Sequence, residues 1–140
     1  MALVLDTSVL VAALDEGDES HTACRSTVEE HSGHLVVPSP VLVEFEHLLR
    51  VRRRPAPWLT FAEELAAGAY AAYHLEPDMV LAAARLQHRY ADLRIGFVDA
   101  AVFLTCVELG EDKVATLDHR HFSVLRTEDG RALRLLPELD

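Results

Sequence analysis

Short apolar runs, each followed by a stretch with helical character, recur from one end of the chain to the other. Leu3-Val4-Leu5, Leu35-Val36-Val37 and Lys113-Val114-Ala115-Thr116-Leu117 are too short for helices and read as buried strands. Helices alternating with continuous apolar strands give a parallel sheet covered on both faces, so the class is α/β. The 140 residues hold no internal repeat, low-complexity tract or long linker, and read as one domain over 1–140.

The segments between the strands carry recognisable helix signals. Residues 9–14 are apolar on every face and suit a short helix tucked against the sheet, ending near Gly17. Residues 18–31 place Cys24 and Val28 at i, i+4 and predict a surface helix ended at Ser32-Gly33. Ser39-Pro40 supplies a cap and a proline at the first helical position, predicting a helix from about Val41 to about Arg53. Residues 58–72 contain a capping box, Thr60 to Glu63, with Phe61, Leu65 and Ala69 on one face. Tyr73-His74-Leu75 suits an edge strand, and Glu76-Pro77 opens a helix with Met79, Ala83, Leu86 and Tyr90 on one side. Residues 100–107 predict a buried helix ended at Leu109-Gly110. A Glu128-Asp129-Gly130 turn then leads into a closing edge strand at 133–136.

Four carboxylates stand out against this pattern. Asp6 ends the first strand, and Asp118 ends the run 113–117 in the same way. Glu44 and Asp99 fall in early turns of helices that follow a strand or its connecting loop. Strand C-termini and the following helix N-termini share one edge of a parallel sheet, so the four acids can converge there. Each also has a plainer reading: Asp6, Thr7 or Ser8 can cap the next helix, and local signals leave both readings of Asp6 open. Glu44 interrupts an apolar stripe of Val41, Phe45 and Leu48 and needs a partner, whereas Glu46 and His47 fall toward solvent.

Clustered carboxylates repel and require a compensating positive charge. Oxygen donors without a matching His or Cys set select a hard cation, Mg²⁺ or alternatively Mn²⁺. His119 and His121 form a His-x-His pair that falls far short of a zinc set. Metal in an acidic pocket suits phosphoryl chemistry, because it activates water and steadies a leaving oxygen. The net charge of −10 argues against binding nucleic acid through bulk electrostatics, though a metal and a few arginines can supply local positive charge. Arg50, Arg52, Arg53 and Arg54 form the one dense basic run, which reads as a solvated helix end rather than an RNA contact. Cys24 and Cys106 lie far apart inside helical segments, as buried reduced thiols do, which makes the cytoplasm the expected compartment. The first apolar run has no basic lead and stops at Asp6, so neither a signal peptide nor a membrane span is expected.

The chain resembles PIN-domain proteins, and specifically the small VapC-type toxins of bacterial toxin-antitoxin pairs. The matching pieces are Val4-Leu5-Asp6-Thr7-Ser8, Val37-Pro38-Ser39-Pro40-Val41-Leu42-Val43-Glu44, Phe97-Val98-Asp99-Ala100 and Ala115-Thr116-Leu117-Asp118-His119-Arg120-His121-Phe122, in order and spanning nearly the whole chain. The resemblance implies a three-layer α/β/α sandwich with a short central parallel sheet. It implies a metal-dependent endoribonuclease whose acids are Asp6, Glu44, Asp99 and Asp118, with Thr116 and Ser8 as supporting polar groups. It further implies a homodimer, a VapB-type antitoxin partner and structured RNA substrates such as tRNA or rRNA. Arg120 and Arg94 are the candidate RNA contacts. His119 stands where the common motif has Arg, so a phosphate grip is not expected from that position.

Other classes fit less well. A non-catalytic PIN-like binding module would not need acids at all four positions, and a solitary RNA-processing nuclease would lack the antitoxin. A receiver-like or phosphatase-like reading of Asp6 lacks a second Asp two residues on and a lysine near a late strand end. Dinucleotide binding lacks a Gly-x-Gly-x-x-Gly after the first strand.

Overall fold

The computed structural model describes residues 1–139. Five short strands form one sheet: β1 (Leu3–Leu5), β2 (Leu35–Pro38), β3 (Ala71–Tyr73), β4 (Lys113–Ala115) and β5 (Arg134–Leu136), in the order β3-β2-β1-β4-β5. All four pairings are parallel, including Val4 opposite both Val36 and Val114. The central strand is wholly buried, with Leu3, Val4 and Leu5 fully shielded, which is why its residues are apolar without alternation.

Seven helices connect and cover the strands: α1 (Thr7–Leu14), α2 (His21–Glu30), α3 (Ser39–Val51), α4 (Ala56–Ala66), α5 (Pro77–Arg89), α6 (Phe97–Glu108) and α7 (His119–Phe122). The chain runs outward from β1 through β2 to β3, then returns past β1 to β4 and β5. With right-handed crossovers, α1 to α4 cover one face and α5 to α7 the other. The expected α/β architecture with a short parallel sheet is therefore the observed one. The strand order reverses between β1 and β4, and a crevice opens there beyond their carboxyl ends.

Several boundaries differ from the sequence expectation. The helix expected over 58–72 runs Ala56–Ala66 and has no capping box, since Thr60 lies inside it. It ends early because Gly68 adopts a left-handed φ of 93°, which frees Ala71 to pair with Val36 and moves the strand two residues upstream of 73–75. Ser39 is inside α3 instead of capping it, and its hydroxyl donates to the Tyr73 carbonyl at 3.1 Å. β4 stops at Ala115, so Thr116, not Asp118, directly follows that strand. Residues 118–121 read from the sequence as a loop beyond the strand; instead Asp118 caps the single-turn α7.

The basic run is also more tied down than a solvated helix end. Arg54 donates to Asp15 at 3.2 Å, Arg52 lies 3.3 Å from Asp18 and 3.5 Å from Asp15, and Arg50 pairs with Glu46 at 2.6 Å. Asp15 is buried at the C-terminal cap of α1, so two of these arginines lash α3 to α1. Packing between α3 and α4 rests on Phe45, Phe61 and Trp58, with the Phe45 and Phe61 rings 5.2 Å apart, edge to face. Cys24 and Cys106 are free and buried. No helix among the described residues is long and apolar enough to cross a membrane.

Candidate active site

Asp6 emerges from β1 into the crevice and is only 4% exposed. Its Oδ1 accepts the Thr7 backbone N–H at 2.9 Å, so it caps α1. Its Oδ2 accepts the Thr116 hydroxyl at 2.7 Å and the Ser8 hydroxyl at 3.2 Å. The same two hydroxyls then accept backbone N–H groups from the segment after β4: Thr116 from Asp118 at 3.0 Å and Ser8 from Leu117 at 3.0 Å. Two hydroxyls thus stitch the end of β1 to the end of β4 through one carboxylate. The capping reading of Asp6 holds, and its second oxygen is free of the cap and bonded to the two hydroxyls. Burial is the main cause that pushes its pKa up to about 6; the Thr116 hydrogen bond opposes this and the Asp99 charge adds to it.

Asp99 is the third residue of α6, and its Oδ2 accepts the Gly96 backbone N–H at 3.1 Å. That bond satisfies one free donor at the helix start and aims the acid at the crevice. Partial burial raises the Asp99 pKa above the usual carboxylate range; the Gly96 bond opposes this, the charges of Asp118 and Glu44 add to it, and His121 lowers it. Asp118 caps α7, with Oδ1 accepting the His121 backbone N–H at 3.1 Å and Oδ2 facing His121 Nδ1 at 2.7 Å. The same Nδ1 lies 4.0 Å from Asp99 Oδ2.

Asp99, Asp118 and His121 each offer a donor atom, all within 4.8 Å of one another. The carboxylate oxygens, with no thiolate beside them, fit Mg²⁺ or Mn²⁺. Asp6 stands apart from this donor set and is tied to the Asp118 segment through the Thr116 hydroxyl. Glu44 is set on the flank: it is half-buried in the second turn of α3, away from the buried stripe of Val41, Phe45 and Leu49. It lines an apolar groove with Val43, Val80 and Phe97 and acts on Asp99 through its charge.

Ser8 and Thr116, named by the resemblance as supporting groups, both donate to Asp6. Arg120 is exposed on α7, and Arg94 is exposed at a left-handed turn with φ 56°. His119 turns its Nε2 into a buried position with no hydrogen-bond partner among the described residues. From the sequence His121 reads only as half of an inadequate zinc pair, because a loop at 118–121 would not have set it over Asp118. Its spacing of three from a capping acid was the available signal.

The PIN domain family matches residues 3–127. The chain is 32% identical over 135 residues to Ribonuclease VapC26 of Mycobacterium tuberculosis strain ATCC 25618 / H37Rv, covering 96% of this chain and all of that protein. In structure it is similar to Mycobacterium tuberculosis VapC20, a Sarcin-Ricin loop cleaving toxin, with a TM-score of 0.74, 21% identity, and coverage of 81% of this chain and 87% of that one. The DNA-bound VapBC of Salmonella typhimurium gives a TM-score of 0.68 at 15% identity over 96% of both chains. The fold, the order of the motifs and these likenesses agree: the chain belongs to the PIN-domain family, in its VapC group.

Proposed function

We propose that this protein is a Mg²⁺- or Mn²⁺-dependent endoribonuclease, the toxin of a VapB/VapC-type pair, acting in the cytoplasm on structured RNA such as tRNA or rRNA. The observation that carries this reading is the meeting of Asp99 and Asp118 within 4.8 Å, with Asp6 tied to the Asp118 segment through Thr116 where the strand order reverses, and with no Lys or Arg paired to these acids among the described residues. The naming of its relatives as a ribonuclease and as a toxin that cleaves the Sarcin-Ricin loop supports the RNA substrate. The VapBC assemblies among its structural neighbours support an antitoxin partner.

In this reading Asp6, Asp99 and Asp118 hold the cation, with Glu44 contributing negative charge from the flank. When bound, the metal lowers the pKa of a water and offsets charge on the phosphate undergoing attack. The chain itself does the positioning. Thr116 and Ser8 fix Asp6 through its Oδ2 while the Thr7 N–H holds Oδ1, and the buried walls around Asp6 limit competition from solvent. Arg120 and Arg94, both exposed, would contact RNA phosphates, and a homodimer would present two such centres to one RNA.

The test is cleavage of total RNA by purified protein with Mg²⁺ or with EDTA, alongside Asp6→Asn and Asp99→Asn. Cleavage leaving a 5′-phosphate and a 3′-hydroxyl is expected only with metal and only from the unaltered chain. Cleavage that persists in EDTA or in both variants refutes the mechanism. Growth arrest on expression, relieved by a neighbouring small open reading frame, is the expected sign of the toxin role.

A further inference from the structure

Asp118 presents both carboxylate oxygens to a single residue three positions on. Oδ1 accepts the His121 backbone N–H at 3.1 Å, and Oδ2 lies 2.7 Å from His121 Nδ1. A carboxylate only accepts, so this Nδ1 carries the proton and the ring donates. α7 is a single turn and holds itself weakly, but Phe122, next in the chain, is fully buried and anchors it. The His121 side chain is itself only 22% exposed, which limits competition from water for its bond. Nδ1 therefore stands between two like-charged acids, bonded to Asp118 and 4.0 Å from Asp99.

Without that donor, repulsion between Asp99 and Asp118 would swing Oδ2 away from the crevice. Each Asp118 oxygen keeps a further lone pair, so the carboxylate can take a cation without losing His121. Metal sites recurrently use such outer partners to orient their ligands. Resting on the metal-dependent reading above, we propose that His121 is a positioning residue of the catalytic centre, its ring N–H and backbone N–H together locking the Asp118 carboxylate beside Asp99. The ring acts through Asp118, because the nitrogen that faces both acids is the one committed to that bond.

The experiment is calorimetric titration of Mn²⁺ into the unaltered protein, His121→Phe and His121→Asn, with thermal unfolding in EDTA to verify that each variant folds. Phe keeps the ring without a donor, while the Asn amide can place an N–H near the position of Nδ1. His121→Phe is expected to bind Mn²⁺ about tenfold more weakly or worse. His121→Asn is expected to stay within a few-fold of the unaltered protein, and its RNA cleavage should fall less in kcat than that of His121→Phe, at similar KM. Should His121→Phe not fold, His121→Ala takes its place with the same expectation. Unchanged Mn²⁺ affinity in the donor-less variant overturns the proposal. Equal weakening of the Asn and Phe variants overturns it too, in favour of direct ligation by the imidazole. No Mn²⁺ binding by the unaltered protein would overturn the metal-dependent reading itself, and this inference with it.

Discussion

Thr116 donates its hydroxyl to Asp6 across 110 residues of sequence, at 2.7 Å, and the two residues stand immediately after the neighbouring strands β4 and β1. This bond closes the floor of the crevice. Thr116→Val keeps the shape but removes both the donor to Asp6 and the acceptor for the Asp118 N–H. It is expected to cost about 1–3 kcal/mol of stability and to lower RNA cleavage about tenfold or more. Thr116→Ser should retain both within a few-fold. Urea unfolding and single-turnover cleavage of the two variants give the comparison, and equal losses in Ser and Val would remove the hydroxyl from the account.

Asp6 links pH to stability. Its pKa is pushed from 3.8 to about 6 by burial, so the unfolded chain releases this proton first as pH rises. Stability contributed by the protonated form is full below about pH 4, declines between about 4 and 6, and stays lost above that, a cost of roughly 3 kcal/mol at most. Asp6→Asn removes the charge, so it should stabilise the protein by about 1–3 kcal/mol near pH 7.5 and by much less near pH 4. Denaturant midpoints at the two pH values test this, and an equal gain at both would contradict it.

Metal binding should show the opposite dependence. The raised Asp6 and Asp99 must give up their protons to become ligands, so acid competes with the cation. Saturating Mn²⁺ is expected to raise the melting temperature several degrees near pH 7.5 and little near pH 5. Asp99→Asn should abolish most of the shift at both. A shift independent of pH, or one that survives Asp99→Asn, would place the metal elsewhere.

The basic run makes its own prediction. Arg54 and Arg52 converge on the buried Asp15, whereas Arg53 has a left-handed φ of 57° and no ion pair among the described residues. Arg54→Ala is expected to destabilise the fold by about 1–2 kcal/mol through loss of a charged hydrogen bond to a buried acceptor, and Arg53→Ala to leave stability unchanged. Gly17→Ala is expected to cost less than Arg54→Ala, since a Cβ there would stand 3.1 Å from the Arg54 guanidinium, the mobile end of an exposed side chain that can shift a few tenths of an ångström. RNA cleavage by Arg54→Ala at a temperature where it is folded should match the unaltered protein; a selective drop in RNA affinity would restore an RNA-contact role.

Much of the fold was legible because burial writes itself into local pattern. Leu3-Val4-Leu5 is apolar without alternation because both sheet faces are covered, and Gly33 and Gly110 mark helix ends because each takes a left-handed φ. The exact limits of α4 and β3 were not legible. Thr60 and Glu63 have the spacing of a capping box, but Pro55 and Pro57 start the helix earlier, and pairing of Ala71 with Val36 overrides the helical stripe that ran on to Ala69.

The candidate site divides in the same way. By itself the sequence determined which residue types reach the sheet edge: Asp6 after its strand, Asp99 in the first turn of its helix, and hydroxyls at Ser8 and Thr116. The two acids follow from short-range period and topology, and the two hydroxyls from the resemblance to the PIN-domain motifs. Only the tertiary structure decided what each oxygen faces. Asp6 meets Thr116 from 110 residues away, Asp15 meets Arg54 from 39 away, and Asp118 meets His121 because a single helical turn forms where no helical pattern is long enough to announce it. Helix and strand periods report burial, which is a property of each segment, whereas hydrogen-bond partners of a carboxylate depend on how separate segments are brought together.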